Sequence, residues 1–174
     1  MPYMGDRGRY SLTVAQQTES LEYQRRFGVA AKTARWAVTM TKVRIRQACR
    51  PCPWPRWHFL SFVGNEGRES RGIIDLVAIR KDHGTPGTGL KRGDALQIML
   101  IQVKGGSAAK PTAEDAQRLQ SVASYHRACG VLYAAWKKGR AARFFALDEH
   151  NDWTEVEDLT IVFCSPNHPR DLLG

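Results

Sequence analysis

The clearest pattern along the chain is a series of apolar segments in its middle, each about as long as a β-strand. Residues 57–63, 73–79 and 96–103 form the first three segments. The third is apolar at almost every position, which is typical of a central strand covered on both faces. Residues 131–136 and 142–147 have the same character and are joined by a short basic turn. We therefore predict five strands.

A long helix is predicted before the first strand. Residues 21–48 have a mostly helical pattern, with Thr18 or Ser20 as the N-cap and Gly28 as a point of bending. The apolar residues between positions 36 and 45 are also half-compatible with the alternation of a strand. Both interpretations of that short stretch stay open on the sequence alone.

A second helix is predicted between the third and fourth strands. Thr112 is its expected N-cap, Ala116 and Leu119 lie on its apolar face, and Gly130 follows as the expected stop. The order of elements is then helix, three strands, helix and two strands. This order (α-β-β-β-α-β-β) predicts an α/β protein with a mixed β-sheet flanked by helices.

The chain of 174 residues suits a single domain. We expect residues 1–20 to be flexible and residues 21–56 to form a basic helical part that ends in a proline-rich boundary. Residues 57–147 form the strand-rich core, and residues 148–174 form an acidic C-terminal extension.

The charge is unevenly distributed along the chain. The formal net charge is +9, but residues 148–174 hold one basic and seven acidic side chains. A strongly basic body favours a polyanionic partner such as DNA, although a solvated basic surface is the simpler alternative. No apolar run is long enough to cross a bilayer and no secretory signal is evident, so we expect a cytoplasmic protein without a membrane partner.

The four cysteines do not form a familiar metal motif. Cys49 and Cys52 are close in sequence, whereas Cys129 and Cys164 stand alone. A zinc site needs further ligands, and His58 is a weakly spaced candidate for a third. We expect neither a metal nor a redox role, and we expect reduced thiols in a cytosolic protein.

The candidate chemistry lies on two neighbouring apolar segments. Asp75 interrupts the second strand, and a buried carboxylate needs a cation or hydrogen-bond donors. Gln102 and Lys104 are two residues apart on the third strand and therefore share a face. If the strands are neighbours, these side chains converge and can bind a hard cation beside a phosphate. The alternative is a plain ion pair between Asp75 and Lys104.

The surrounding pattern makes this arrangement more specific. Residues 57–147 resemble the PD-(D/E)XK nuclease superfamily, and within it most closely the Holliday-junction resolvase type. The features that carry the resemblance are the segment 72–79 with Asp75, the segment 101–104, the helix with Gln117, and the two strand segments within 125–147.

The resemblance implies a restriction-endonuclease-like fold and a Mg²⁺- or Mn²⁺-dependent nuclease. It implies Asp75, Gln102 and the backbone carbonyl of Val103 as metal ligands, with Lys104 as the catalytic lysine. Gln102 departs from the usual acidic residue, because an amide oxygen can ligate a cation but adds no negative charge. The alternative is therefore a catalytically silent DNA-binding module of the same fold.

Further positions complete the expected site. Glu22 is the favoured additional acidic residue, with Glu19, Glu66 and Glu69 as alternatives. Ser70 and Gln117 are candidates for contacts near the phosphate. Resolution of a DNA junction would also imply a homodimer, because the junction has paired strands to cut. The basic residues expected to contact DNA are Arg35, Lys42, Arg46, Lys91 and Arg92.

Overall fold

A mixed β-sheet of six strands with three helices forms an α/β fold. The computed structural model describes residues 14–53, 55–62, 72–84 and 89–164. The elements are α1 (Val14–Ala48), β1 (His58–Ser61), β2 (Leu76–Lys81), β3 (Leu96–Gly105), α2 (Ala113–Tyr125), β4 (Gly130–Trp136), β5 (Arg143–Leu147), β6 (Trp153–Val156) and α3 (Leu159–Cys164).

The strands lie in sequence order across the sheet, from β1 to β6. Every neighbouring pair is antiparallel except β3 and β4, which are parallel and are connected through α2. The predicted order of helix, three strands, helix and two strands is confirmed. The predicted positions of the strands are also close, except that β2 begins at Leu76 rather than at residue 73.

Two elements in the acidic C-terminal extension were not predicted. Strand β6 is short and mostly exposed, so its sequence lacks the apolar character of the inner strands. Helix α3 has a clearer signal, because Leu159, Val162 and Phe163 have helical spacing and are all buried. Strand β6 and helix α3 therefore belong to the folded structure, although both lie in the acidic extension.

Helix α1 is one continuous helix that begins earlier than predicted. Its first residue is Val14, so the predicted caps Thr18 and Ser20 lie within it, and it passes through Gly28 without interruption. The strand alternative for positions 36–45 is wrong, because the buried residues follow a helical period. These buried residues are Ala37, Val38, Thr41 and Ile45.

A hydrogen-bond chain fixes α1 against the sheet. The Thr41 hydroxyl donates to the carbonyl oxygen of Ala37 at 2.8 Å, and it accepts from the indole N–H of Trp136 at 2.8 Å. All three residues are buried. The polar atoms of Thr41 and Trp136 therefore satisfy each other at the helix–sheet interface, where an unpaired group would be costly.

Helix α2 begins as predicted but ends differently. The Thr112 hydroxyl accepts from the Asp115 N–H, and the Asp115 carboxylate accepts from the Thr112 N–H, so that the two form a capping box. The predicted stop at Gly130 is wrong, because Gly130 is the first residue of β4. Instead, Arg127 adopts a positive φ of 52° after the helix.

The two faces of the sheet are covered by different helices. Met99, Ile101 and Val103 of β3 belong to the core cluster on the α1 side. Leu100 belongs to a second cluster with Leu119 of α2. Strand β3 is therefore buried on both faces, as its apolar sequence predicted. Among the described residues, no helix is long and apolar enough to cross a membrane.

The close approach of α1 to the end of β3 gives the first testable prediction. A Cβ atom at Gly105 would lie 3.2 Å from both Ala37 Cβ and Thr33 Cγ2, and 3.3 Å from the Thr33 carbonyl oxygen. We expect Gly105→Ala to lower the free energy of unfolding by about 1–3 kcal/mol, because backbone and packed side chains must move. Urea unfolding monitored by circular dichroism measures this change.

The matched control is Gly28→Ala, which lies on α1, the helix that Gly105 contacts. A Cβ atom there meets nothing within 4 Å, so the substitution should raise the free energy of unfolding by about 0.5–1 kcal/mol. Equal effects of the two substitutions would contradict the close packing at Gly105.

Candidate active site at the junction of β2 and β3

Asp75 lies directly before β2 and bonds to both neighbouring segments. Its N–H donates to the carbonyl oxygen of Ile101 at 3.1 Å, and its carbonyl oxygen accepts from the Phe62 N–H at 3.0 Å. Leu76 is the first residue of β2 and is also paired with Ile101, so Asp75 lies beside the 101–103 segment of β3. The adjacency that the sequence analysis required is therefore present.

Gln102 and Lys104 share one face of the sheet. Leu100 belongs to the cluster on the α2 side. Side chains alternate along a strand, so Gln102 and Lys104 lie on the same side as Leu100. Asp75 precedes the first residue of β2, and its carboxylate reaches this segment of β3 through the Val103 N–H.

A backbone hydrogen bond holds the Asp75 carboxylate in place. The Val103 N–H donates to Asp75 Oδ2 at 2.7 Å. Burial raises the pKa of the Asp75 carboxyl, and the Val103 hydrogen bond and the nearby charge of Lys104 oppose this rise. Burial is the largest of these effects, so the site disfavours an uncompensated negative charge and would gain from a bound cation.

Gln102 contributes a side-chain amide oxygen that has no hydrogen-bond partner among the described residues. Its side chain is 3% exposed. Its Oε1 atom is buried and accepts no hydrogen bond within the described part of the chain. Such an atom costs about 1–3 kcal/mol when it is left unsatisfied. A buried amide oxygen next to a carboxylate is therefore suited to receive a ligand.

Val103, Lys104 and Gly105 also line a cleft of about 880 Å³ between the end of β3 and α1, on the opposite side of the sheet from the Gln102 side chain. Glu22 and Arg25 of α1 line the opposite part of the same cleft, and Ser107 follows from the loop after β3. Helix α1 extends about 52 Å, whereas β3 extends about 33 Å, so the helix projects beyond the sheet here. The favoured acidic candidate Glu22 thus shares a cleft with Lys104.

Several predicted positions are not brought to this junction. Gln117 is exposed on α2, and its carbonyl oxygen accepts from the Ser121 hydroxyl. Lys91 and Arg92 lie in the connection between β2 and β3, at the opposite end of these strands from Asp75. That distance is about 20 Å along the strand. Ser70, Glu66 and Glu69 lie outside the described residues, and the side chain of Glu19 is also outside them.

The basic stripe on α1 is formed as expected from its spacing. Arg35, Lys42 and Arg46 are seven and four residues apart within one helix and therefore lie along one side. The guanidinium of Arg46 packs over the ring of Phe59, 5.3 Å from its centre. The stripe therefore follows the side of α1 that reaches β1.

The sequence analysis missed the basic and aromatic residues beside Gln102. Tyr133 of β4 is paired with Gln102, and its ring stacks on Phe145 at 5.5 Å. Lys110 Nζ lies 5.4 Å and Arg143 Cζ lies 5.1 Å from the centre of the Phe145 ring. The aromatic residues within the apolar segments of β4 and β5 were the available signal, but only the strand register shows which of them are neighbours.

Glu155 partly balances this basic group. The Arg143 guanidinium donates to both carboxylate oxygens of Glu155 from the paired strand β6. Glu155 also feels the nearby charge of Lys110. Lys104 is thus a basic residue near Asp75, whereas Lys110 and Arg143 lie around Phe145 of β5, two strands away from β3.

The oxygen donors at the junction fit a hard divalent cation. The Asp75 carboxylate and the Gln102 amide oxygen are ligand types that Mg²⁺ and Mn²⁺ accept, and the orphaned Gln102 Oε1 is the observation that supports the fit. Asp75 and Gln102 together supply only one formal negative charge, which favours weak rather than tight binding of a divalent cation. No protein-family model, curated protein or solved structure matches this chain.

The raised pKa of Asp75 gives a prediction about stability without metal. The folded state holds the Asp75 proton more tightly than the unfolded state, so the contribution of this group to stability is greatest at low pH. It should decrease as the pH rises from the ordinary aspartate range through the raised folded pKa. In EDTA, Asp75→Asn should lack this decrease, so its stability relative to wild type should grow with pH.

Urea unfolding at a series of pH values checks this prediction. Asp152→Asn, which changes an exposed carboxylate outside the junction, is the control and should follow the wild-type profile. A difference between Asp75→Asn and wild type that is constant with pH would contradict the proposed effect of burial.

Proposed function

We propose that the protein is a Mg²⁺- or Mn²⁺-dependent nuclease that hydrolyses DNA phosphodiester bonds. The observation that carries the proposal is the junction itself. Asp75 is held by the Val103 N–H beside the unpartnered Gln102 Oε1. Lys104 follows two residues later and lines a cleft. A restriction-endonuclease-like arrangement of the sheet belongs to the same proposal.

Each residue of the junction has a distinct part in this chemistry. Asp75 and Gln102 supply oxygen donors, and the Val103 N–H fixes the orientation of the Asp75 carboxylate. The Val103 carbonyl is proposed as a further donor. Lys104 stabilises negative charge that develops on the phosphate or orients the attacking water. When bound, the cation would neutralise phosphate charge and lower the pKa of water.

DNA is proposed as the substrate because of charge and position. The whole chain carries a net charge of +9. Lys110 and Arg143 pack over Phe145, whose ring stacks on Tyr133, the residue paired with Gln102, and they can contact phosphates of a bound DNA. The proposal extends to branched DNA, for which two copies of the chain would act together on paired strands.

Cleavage assays with Mg²⁺ or Mn²⁺ on supercoiled plasmid, linear duplex and a four-way junction test the activity. We expect Asp75→Ala and Lys104→Ala each to reduce cleavage roughly 100-fold or more, because each removes a donor that acts on the reacting phosphate. Lys91→Ala, which removes an exposed charge far from the junction, is the matched control.

The assignment would be wrong if metal-dependent cleavage survived both substitutions at the junction. Circular dichroism of each variant separates loss of activity from loss of folding. Preference for the four-way junction over linear duplex, together with a dimer in solution, would support the narrower proposal of branched DNA.

A DNA-binding module without catalysis is the second candidate, and Gln102 is the observation that favours it. A buried amide in place of a carboxylate leaves Asp75 as the source of formal negative charge in the Asp75–Gln102 pair. This candidate predicts salt-sensitive DNA binding and no cleavage by the wild-type chain. Cleavage that appears in Gln102→Glu would show that the amide alone prevents metal loading, whereas cleavage by wild type would reject this candidate.

A further inference from the structure

Three cysteine sulfur atoms meet where α1 ends. Cys49 and Cys52 follow the last turn of α1, and Cys164 is the last residue of α3. Their sulfur atoms all lie within 4.8 Å of one another, and all three residues are partly buried. Cys164 is 112 residues from Cys52, so the spacing of cysteines in the sequence did not reveal the cluster.

Two members of the cluster are joined in the structure. Cys52 and Cys164 form a disulfide with a Cα–Cα distance of 5.4 Å. The expectation of reduced thiols is therefore wrong for this pair. His58, the third metal ligand considered from sequence, is exposed on β1 and does not belong to the cluster. A disulfide needs two sulfur atoms, so the third thiol, Cys49, requires a separate explanation.

We propose that the reduced cluster is a Zn²⁺ site formed by Cys49, Cys52 and Cys164. A tetrahedral Zn²⁺ ion with Zn–S bonds of about 2.3 Å places its sulfur ligands about 3.8 Å apart. The sulfur atoms here are already within 4.8 Å, so rotation of the reduced side chains is enough to reach that geometry. Water takes the fourth position.

The surroundings suit the charge of such a site. Three thiolates and one Zn²⁺ ion carry a net charge of −1, and thiolates are the ligands that Zn²⁺ prefers. The cavity beside Cys49 and Cys52 is also lined by arginines, which favour this negative complex. These arginines are Arg46, Arg50, Arg56 and Arg80.

Proton release follows from metal binding by the cluster. An ordinary thiol is mostly protonated at neutral pH, and Zn²⁺ binds the thiolate. Formation of three Zn–S bonds displaces up to three protons per chain to the buffer, and no oxidation or reduction accompanies that step.

The elements that carry the ligands are fixed before any metal binds. The Cys52 N–H donates to the Cys49 carbonyl oxygen at 3.1 Å, which closes the turn between them. On α3, the Phe163 carbonyl oxygen accepts from the Trp57 indole N–H at 2.9 Å and from Arg80 Nη1 at 2.8 Å. A site on pre-arranged elements loses little entropy on binding.

Zn²⁺ titration of the reduced full-length chain tests the proposal. A phosphine first reduces the Cys52–Cys164 disulfide, with water supplying the oxygen of the phosphine oxide and the protons of the two thiols. After anaerobic removal of the phosphine, titration against a chromogenic chelator should show one Zn²⁺ per chain. Cys49→Ser, Cys52→Ser and Cys164→Ser should each weaken binding by at least about 100-fold.

Cys129→Ala is the matched control, because Cys129 lies outside the cluster and the variant also lacks one cysteine. It should bind Zn²⁺ like wild type. Two measurements on wild type do not depend on the folding of any variant. Zn²⁺ should release protons into a weakly buffered solution and should protect Cys49, Cys52 and Cys164 together from alkylation. Absence of binding by the reduced chain, or unchanged binding by Cys49→Ser, would overturn the proposal.

Discussion

Burial of β3 on both of its faces is the constraint on which the site depends. Helix α1 covers one face and α2 covers the other, so a polar side chain on this strand must find a partner within the protein or bind a ligand. Gln102 and Lys104 are polar residues on this strand, and Asp75 lies beside the same segment. The Val103 N–H donates to one carboxylate oxygen of Asp75, and Gln102 Oε1 has no hydrogen-bond partner among the described residues. The packing of the sheet therefore leaves a buried amide oxygen and a buried carboxylate that a bound cation would stabilise.

The length of α1 relative to the sheet opens a cleft at the end of β3. Where the helix projects past the end of β3, the loop that begins at Gly106 and the side chains of Glu22 and Arg25 enclose a cleft. Gly105 permits α1 to come close enough for Thr33 and Ala37 to contact the strand end. The same local geometry thus brings an acidic residue from the helix and Lys104 from the sheet to one opening.

Features encoded by neighbouring residues were predictable, whereas features formed by distant residues were not. The apolar run of β3 and the Thr112 cap are local signals, and both were predicted correctly. The proximity of Asp75 to the segment with Gln102 was also predictable, because it required only that β2 and β3 be neighbouring strands. In contrast, the contact of Cys164 with Cys52 depends on where α3 packs, and the short strand β6 is defined by its pairing with β5 rather than by its own composition.

The short outer strands have a consequence for self-association. Strands β1 and β6 form the two edges of the sheet, and each has four residues. An edge of that length offers a neighbouring chain few backbone groups to pair with, which limits continuous growth of the sheet between molecules. A contact between two copies of the chain would therefore be made more readily by side chains of helices or loops than by pairing of edge strands, and substitutions there would leave the backbone of either sheet undisturbed.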